Sequence, residues 1–272
     1  GIGMALAQKH LSSVFGDNSL LDSMVYILAG DGCMMEGISS EASSLAGHLG
    51  LDNIVLIYDA NDICLDGPIE ECFTEDVAMR YRSYGWNVQE VDGHDLEQLD
   101  SVFQQTKKKS GSPHLIIAKT IIGKGSPNRQ GTSESHGKPL GNEETNLTKQ
   151  SLEIPLEPTF FVSEEASLIQ NFCTQRGSKL ESDWKTSFNQ WAQQNPSLAK
   201  QWDSYFVRDL SNETISLLET LEVKPDLATR SSSNAILQLL YDQIPNLIGG
   251  SADLSCSDNT FMKKGGIISR DS

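Results

Sequence analysis

The sequence predicts an α/β protein: a parallel sheet with helices on both faces, followed by the start of a second α/β domain. Three observations carry this reading. Four short segments, the apolar runs 24–29 and 54–58, the mixed stretch 86–91 and the run 114–118, have strand length. The segments between them repeat apolar residues at helical spacing, as parallel βαβ units require. The first two runs end in small oxygen-bearing side chains, Gly30-Asp31-Gly32 and Asp59-Ala60-Asn61, and the carboxyl ends of parallel strands are where such sheets bind ligands.

The elements follow in order. Residue 1 already lies in a helical pattern, with Met4, Ala7, Leu11 and Val14 on one face. No signal peptide is expected before it, and the start reads as that of a fragment. After the first strand, Ile38, Ala42, Leu45, Ala46 and Leu49 mark one helix face, and Gly50 ends it. The turn Leu65-Asp66-Gly67-Pro68 leads to a helix carrying Val77, Tyr81 and Tyr84. Leu96, Leu99 and Phe103 stripe the helix between the third and fourth strands. Residues 120–150 are rich in Gly, Ser, Pro, Asn and Thr without periodicity, which reads as one long functional loop. Residues 160–221 read as helical, with Trp184, Phe188 and Trp191 on one face and Leu217, Leu218 and Leu221 on another. Breaks fall at Gln194-Asn195-Pro196 and Lys224-Pro225. A helix with Ile236, Leu237 and Leu240 then leads to a short strand at 247–248 and to Gly249-Gly250-Ser251-Ala252-Asp253. The expected organisation is a first domain over 1–205, a linker over 206–225 and a truncated second domain over 226–272.

Composition excludes several functions. Asp and Glu total 37 against 21 Lys and Arg, a formal charge of -16. Nucleic-acid binders need a basic footprint, so no nucleic-acid partner is expected. No apolar run approaches the ~20 residues that cross a bilayer, so no membrane is expected either. Anionic ligands need local positive charge, from a bound cation or a placed Arg. Five cysteines, with no CxxC pair, read as reduced thiols of a cytoplasmic protein. Cys33 reads as a small buried filler beside the glycine motif.

Two neighbouring strands thus bring a carboxylate and an amide oxygen to one edge. Mg²⁺ takes oxygen donors and shares its shell with phosphate, so Asp31 and Asn61 read as ligands to a cation clamped on a diphosphate. The Ile63 carbonyl is the third protein ligand expected. The glycines let backbone approach the phosphates, with Gly32 offering its N–H.

The run from Gly30 through Glu36 and the helix-like Gly-Ile-Ser-Ser-Glu-Ala-Ser-Ser-Leu-Ala-Gly-His at 37–48 resemble the transketolase family. So do Tyr58-Asp59-Ala60-Asn61, Tyr84-Gly85-Trp86, Asp92-Gly93-His94-Asp95, Lys119-Thr120-Ile121-Ile122-Gly123 and Ser135-His136-Gly137-Lys138-Pro139-Leu140-Gly141. Ala228-Thr229-Arg230 and Gly249-Gly250-Ser251-Ala252-Asp253-Leu254 extend the likeness nearly to the end of the chain.

The resemblance implies the thiamine-diphosphate-binding fold, a diphosphate-binding domain and the beginning of a pyrimidine-binding domain. It implies Asp31, Asn61 and Ile63 as ligands of Mg (or Ca), Gly32 on a phosphate, and Leu65 against the thiamine. Glu36 and Glu41 match acidic residues near a homodimer interface. His136 matches a histidine that contacts cofactor and the reacting oxygen of the substrate, a role suited to imidazole. His94 matches equally well but reads as structural. Arg230 and Ser257 match residues gripping the phosphate of the sugar substrate, where a guanidinium binds bidentately. Asp253 matches a residue on the cofactor or the neighbouring subunit. Members often carry His where Ser133 stands and Pro where Cys256 stands.

The implied activity is transfer of a two-carbon ketol unit from a ketose phosphate to an aldose phosphate, in the pentose phosphate pathway. Alternatives are a dihydroxyacetone synthase, a deoxyxylulose-phosphate synthase, a 2-oxoacid dehydrogenase subunit, or a noncatalytic metal–diphosphate module. Substrate-contacting histidines are expected before Gly1, and the glutamate that activates the aminopyrimidine after Ser272. Residues 1–272 alone are accordingly expected to be inactive.

Overall fold

The computed structural model describes residues 1–16, 20–206, 209–222 and 226–270. It divides into two compact units, Gly1–Lys185 and Thr186–Ser272. The first contains α1 (Ile2–Phe15), β1 (Val25–Gly30), α2 (Asp31–Met35), α3 (Gly37–His48), β2 (Ile54–Ala60), α4 (Val77–Ser83), β3 (Asn87–Asp92), α5 (Leu96–Thr106), β4 (His114–Lys119) and α6 (Asn142–Ser151). Helix α7 (Glu164–Gln194) begins there and ends in the second unit, which adds α8 (Pro196–Tyr205), α9 (Asn212–Glu219) and α10 (Thr229–Gln243).

The strands run in the order β1-β2-β4-β3, every pair parallel. Gly30 pairs with Asp59, so β2, which ends at Ala60, runs one residue past the end of β1. Alternation along the strands sorts two apolar clusters. Ile54, Leu56, Tyr58 and Ala60 of β2 face one, with Ala5 of α1, Ala46 of α3, Tyr81 of α4 and Trp86. Val55 faces the other, with Ile116, Ala118, Val91 and Val102 of α5, and Leu99 and Phe103 pack against it. Helices therefore lie on both faces, as predicted. The second face is only partly wrapped: Leu28 is 76% exposed, and Tyr26 meets only the edge of Phe103 at 6.2 Å.

Caps explain where the helices start. Asp95 Oδ1 accepts from the N–H groups of Glu97 and Gln98, both at 3.0 Å, and opens α5. Asp76 Oδ1 accepts from Met79 N at 2.8 Å and opens α4. Pro196 at the first position of α8 follows the predicted break after Gln194.

Several local expectations are corrected. In α1, Ala5 and Phe15 are buried while Met4 and Ala7 are exposed, so the core face sits one residue round from the apolar stripe. In α3, Ile38 and Leu45 are exposed and Ser43 and Ala46 are buried. Small side chains face inward there because Trp86 closes on the helix, its Nε1 donating to Ser43 O at 2.8 Å. The stretch 120–150 is not all loop: it holds a short 3-10 turn at Ser133–Ser135 and the helix α6. Residues 247–248 form no strand, having no neighbouring strand to bond. Cys33 is exposed rather than buried. The expected linker contains α9, and its Lys224-Pro225 break lies outside the described residues.

In the second unit, Phe188, Trp191, Trp202 and Phe206 form a ring cluster joining α7 to α8, with Trp202 5.1 Å from Phe206 and 5.2 Å from Phe188. Tyr205 Oη donates to Pro245 O at 3.1 Å, tying α8 to the end of α10. Among the described residues no helix is long and apolar enough to cross a membrane.

Candidate functional site

Helix α2 starts on the residue after β1, so Asp31 is the first residue of a helix that follows the strand without a loop. Its side chain is buried, with 3% exposed. Oδ1 accepts from the Tyr58 hydroxyl at 2.5 Å, whereas Oδ2 is buried and has no hydrogen-bond partner. Burial pushes the Asp31 carboxyl above its usual range and Asp62 adds to this, against the Tyr58 hydroxyl and the backbone N–H groups of Asn61 and Asp62. Those last two contacts place the end of β2 directly beside Asp31.

Past β2 the chain turns sharply. Asp62 adopts a left-handed backbone, φ 62, and Asn61 Oδ1 accepts from Ile63 N at 3.1 Å, a side-chain-to-backbone turn. Ile63 and Pro68 then form an isolated antiparallel bridge. Its cross-loop bonds, Ile69 N to Asp62 O at 2.9 Å and Cys64 N to Gly67 O at 2.8 Å, leave the Ile63 carbonyl out. The predicted donors Asp31, Asn61 and Ile63 all lie just past the carboxyl ends of two adjacent strands. An orphaned carboxylate oxygen, an amide oxygen with a second lone pair and a peptide carbonyl suit a hard divalent cation. A Cβ on Gly30 or Gly32 would meet nothing within 4 Å, so this backbone borders open space where a phosphate fits.

Neighbouring acids have other work. Asp59 accepts a short hydrogen bond from Thr120 Oγ1. His94 Nε2 accepts from Ile121 N at 2.9 Å, which needs a neutral ring protonated on Nδ1 and ties the turn before α5 to the exit of β4. That is the structural role expected of it. Leu65, Glu36 and Glu41 are exposed. A cleft of about 220 Å³ is lined by Tyr58, Asp62, Glu75, Asp76, Glu90 and Lys119 among others, and not by Asp31, Asn61 or Ile63. A larger cleft, about 500 Å³, lies at the opposite edge of the sheet. Its charges are paired already, Lys9 with Asp52 at 2.9 Å and Lys109 with Asp22 at 2.8 Å.

His136 stands on a separate loop. It is half-buried, and its Nδ1 is buried without a partner. The loop is held by Arg129, whose carbonyl accepts from Ser135 Oγ at 2.7 Å and whose Nη1 donates to Pro139 O at 3.2 Å. Arg129 is placed in turn by Glu144 of α6, a residue the sequence reading missed. Glu144 is buried and accepts from Ser126 Oγ, from Asn128 N at 2.9 Å and from Asn128 Nδ2 at 2.8 Å. The only signal was an acid three residues after Gly141, inside a segment with one leucine.

These bonds, Ser126 first and Asn128 next, hold the Glu144 carboxyl below its usual 4.5. A depressed folded value means the latch is at full strength above 4.5 and is lost as pH falls through the lowered value. Amide exchange at Gly131 and Ser135 should accordingly stay protected at pH 5 and be released in stronger acid. Glu144→Ala should release it at neutral pH; unchanged protection there would break the link to the His136 loop.

In the second unit, Arg230 is the second residue of α10 and is exposed, as are Ser257 and Asp253. Asp253 has a left-handed backbone, φ 61. The loop carrying Ser257 is pinned to the first turns of α10: Asn234 Nδ2 donates to Asn259 O at 2.6 Å, and Asn259 Nδ2 to Ser231 Oγ at 3.3 Å. Asn259, two residues past Ser257, thus lies against Ser231, the residue after Arg230.

Comparison with known proteins follows the same lines. A family model described as "Transketolase, thiamine diphosphate binding domain" matches residues 1–210. The transketolase of Halalkalibacterium halodurans is 40% identical over 273 residues, covering 99% of this chain and 41% of that protein. That of Bacillus subtilis is 39% identical, covering 97% and 40%. The Leishmania mexicana transketolase structure superposes with a TM-score of 0.88 at 32% identity, covering 96% of this chain and 39% of that one. A Pichia stipitis transketolase solved with sedoheptulose 7-phosphate gives 0.87 at 36% identity, covering 97% and 40%. The chain spans about two-fifths of the length of these relatives. With a family model covering most of its residues, the chain belongs to the transketolase family.

Proposed function

We propose that this chain carries the metal–diphosphate site and part of the substrate site of a transketolase, which moves a two-carbon ketol unit from a ketose phosphate to an aldose phosphate. The observation that carries this is the buried, unpaired Asp31 Oδ2 beside Asn61, in a chain of this family. Thiamine diphosphate, when bound, supplies a nucleophilic carbon and an electron sink for breaking a carbon–carbon bond beside a carbonyl. Everything else falls to side chains. Asp31, Asn61 and the Ile63 carbonyl hold Mg²⁺, or Ca²⁺ in its place, against the diphosphate, and the Gly32 N–H donates to a phosphate oxygen. The cation offsets the -16 charge that would otherwise repel these anions.

Leu65, exposed on the loop after Ile63, packs on the thiamine. Glu36 and Glu41 lie toward a second copy in a cytoplasmic homodimer, and Asp253 toward the cofactor or that copy. His136 moves protons on the substrate's hydroxyl or carbonyl oxygen, and its free Nδ1 supports this. Arg230 and Ser257 take the sugar phosphate, from a domain that begins near 226 after a linker over 206–225.

The test is an enzyme made by grafting this chain into the Halalkalibacterium halodurans transketolase in place of the matching segment, with sedoheptulose 7-phosphate as donor. Ketol transfer is expected, and its absence from a folded graft counts against the reading. In that enzyme Arg230→Ala should raise KM for phosphorylated donors ~10–100-fold, the worth of a charge-assisted bond. Equal loss with an unphosphorylated donor would remove Arg230 from the phosphate site.

A further inference from the structure

Among the described residues, Tyr58 carries a buried hydroxyl that bonds to Asp31 from inside the sheet. It lies on β2, 5% exposed, opposite Ala29 of β1 and Ile117 of β4. Its ring belongs to the apolar cluster, and its hydroxyl emerges only at Asp31 Oδ1, at 2.5 Å. That is the length of a hydrogen bond from a neutral hydroxyl to an ionised oxygen. Asp31 has two equivalent oxygens and one rotatable bond to its carboxyl. The Tyr58 hydroxyl is the side-chain donor to this carboxylate and it sits on Oδ1, while Oδ2 is left without a hydrogen-bond partner.

We infer that Tyr58 is a positioning residue for the cation: by occupying Asp31 Oδ1 it points Oδ2 at the metal and holds the carboxylate in one rotamer. The inference rests on the metal reading of Asp31 under Proposed function. A strand-borne phenol suits this task better than a loop hydroxyl. The ring is locked by packing between two neighbouring strands, so its oxygen cannot swing toward the cation. Asp59, one residue on, faces Thr120 instead and does not compete for Asp31. The arrangement is an outer partner orienting an inner ligand, of the kind whose loss typically costs ~10–100-fold in metal affinity.

The experiment uses the 272-residue chain with Mn²⁺ and thiamine diphosphate as probes, reading bound Mn²⁺ by water-proton relaxation at a temperature where every variant is folded by circular dichroism. Tyr58→Phe is expected to weaken Mn²⁺ binding ~10–100-fold, while Asp31→Ala abolishes it. A purely structural tyrosine would lower the melting midpoint and leave the affinity of the folded protein where it was. Unchanged affinity in Tyr58→Phe, with binding lost in Asp31→Ala, overturns the role of Tyr58 alone. Binding that survives Asp31→Ala, or is absent from the unmutated chain, overturns the metal reading and takes this inference with it. Should Tyr58→Phe not fold, Thr120→Val is measured with Tyr58→Trp: the first frees Asp59 and should leave Mn²⁺ affinity unchanged, the second removes the hydroxyl and should reduce it.

Discussion

Asp31→Ala is expected to abolish cation-dependent binding of thiamine diphosphate, a loss well beyond the ~100-fold that removing an outer partner costs. Asp31 is the only charged member of the proposed donor set, and the amide and the peptide carbonyl cannot neutralise a divalent ion. Calorimetric titration with Mg²⁺ and cofactor measures it, and unchanged affinity would sink the assignment. The same residue makes an opposite prediction for stability. A buried carboxylate oxygen with no partner is costly to the cation-free protein. Asp31→Asn keeps the shape and removes the charge, so its cation-free melting midpoint should rise by roughly 2–4 °C, the effect of ~1 kcal/mol in a domain of this size. A fall would mean the charge is better solvated than its surroundings indicate.

Gly47→Ala is expected to be the most damaging single methyl in the chain. In α3, a Cβ at Gly47 would fall onto the carbonyl oxygen of Tyr84 and within 3.4 Å of the Trp86 ring. Tyr84 cannot retreat: its N–H is bonded to the carbonyls of Arg80 and Tyr81 at 3.2 and 3.1 Å. Trp86 is anchored through Nε1 to Ser43 O at 2.8 Å, on the same helix. The helix would have to back away from the core, at a cost of about 3 kcal/mol or more. That corresponds to a fall of ~6–12 °C in the melting midpoint. Gly3→Ala is the control. A Cβ there meets nothing within 4 Å, and replacing Gly by Ala inside α1 should stabilise by up to ~1 kcal/mol. If both substitutions behave alike, close packing at Gly47 is not what selects the glycine.

Most of the sheet was legible because β1, β2 and β4 are short, largely apolar runs ending near turn residues, a signal that depends on nothing outside each segment. The placement of Asp31 and Asn61 was legible for the same reason: each follows directly on the carboxyl end of one of two adjacent strands. Helix faces were less legible. Ile38 and Leu45 looked like core, but α3 turns its small residues inward to admit Trp86, a demand imposed from 43 residues away. Helix α6 was invisible because Leu147 is almost its only apolar residue, and Glu144, a hydrogen-bonding latch, does the anchoring that a hydrophobic stripe usually does. Tyr58 was read as one more apolar strand residue. A phenol in a buried strand needs a hydroxyl partner, and asking where that partner lay would have led to Asp31.

The uneven wrapping of the sheet grades how easily its layers come apart. Fluctuations that expose backbone should begin on the side where α5 alone shelters the strands and Leu28 stands bare. They should reach last the side on which Tyr58 is wedged beneath α3 and α4. The proposed donors Asp31 and Asn61 are thus expected to sit on the slower-opening side of the sheet and to keep their geometry while the far side loosens.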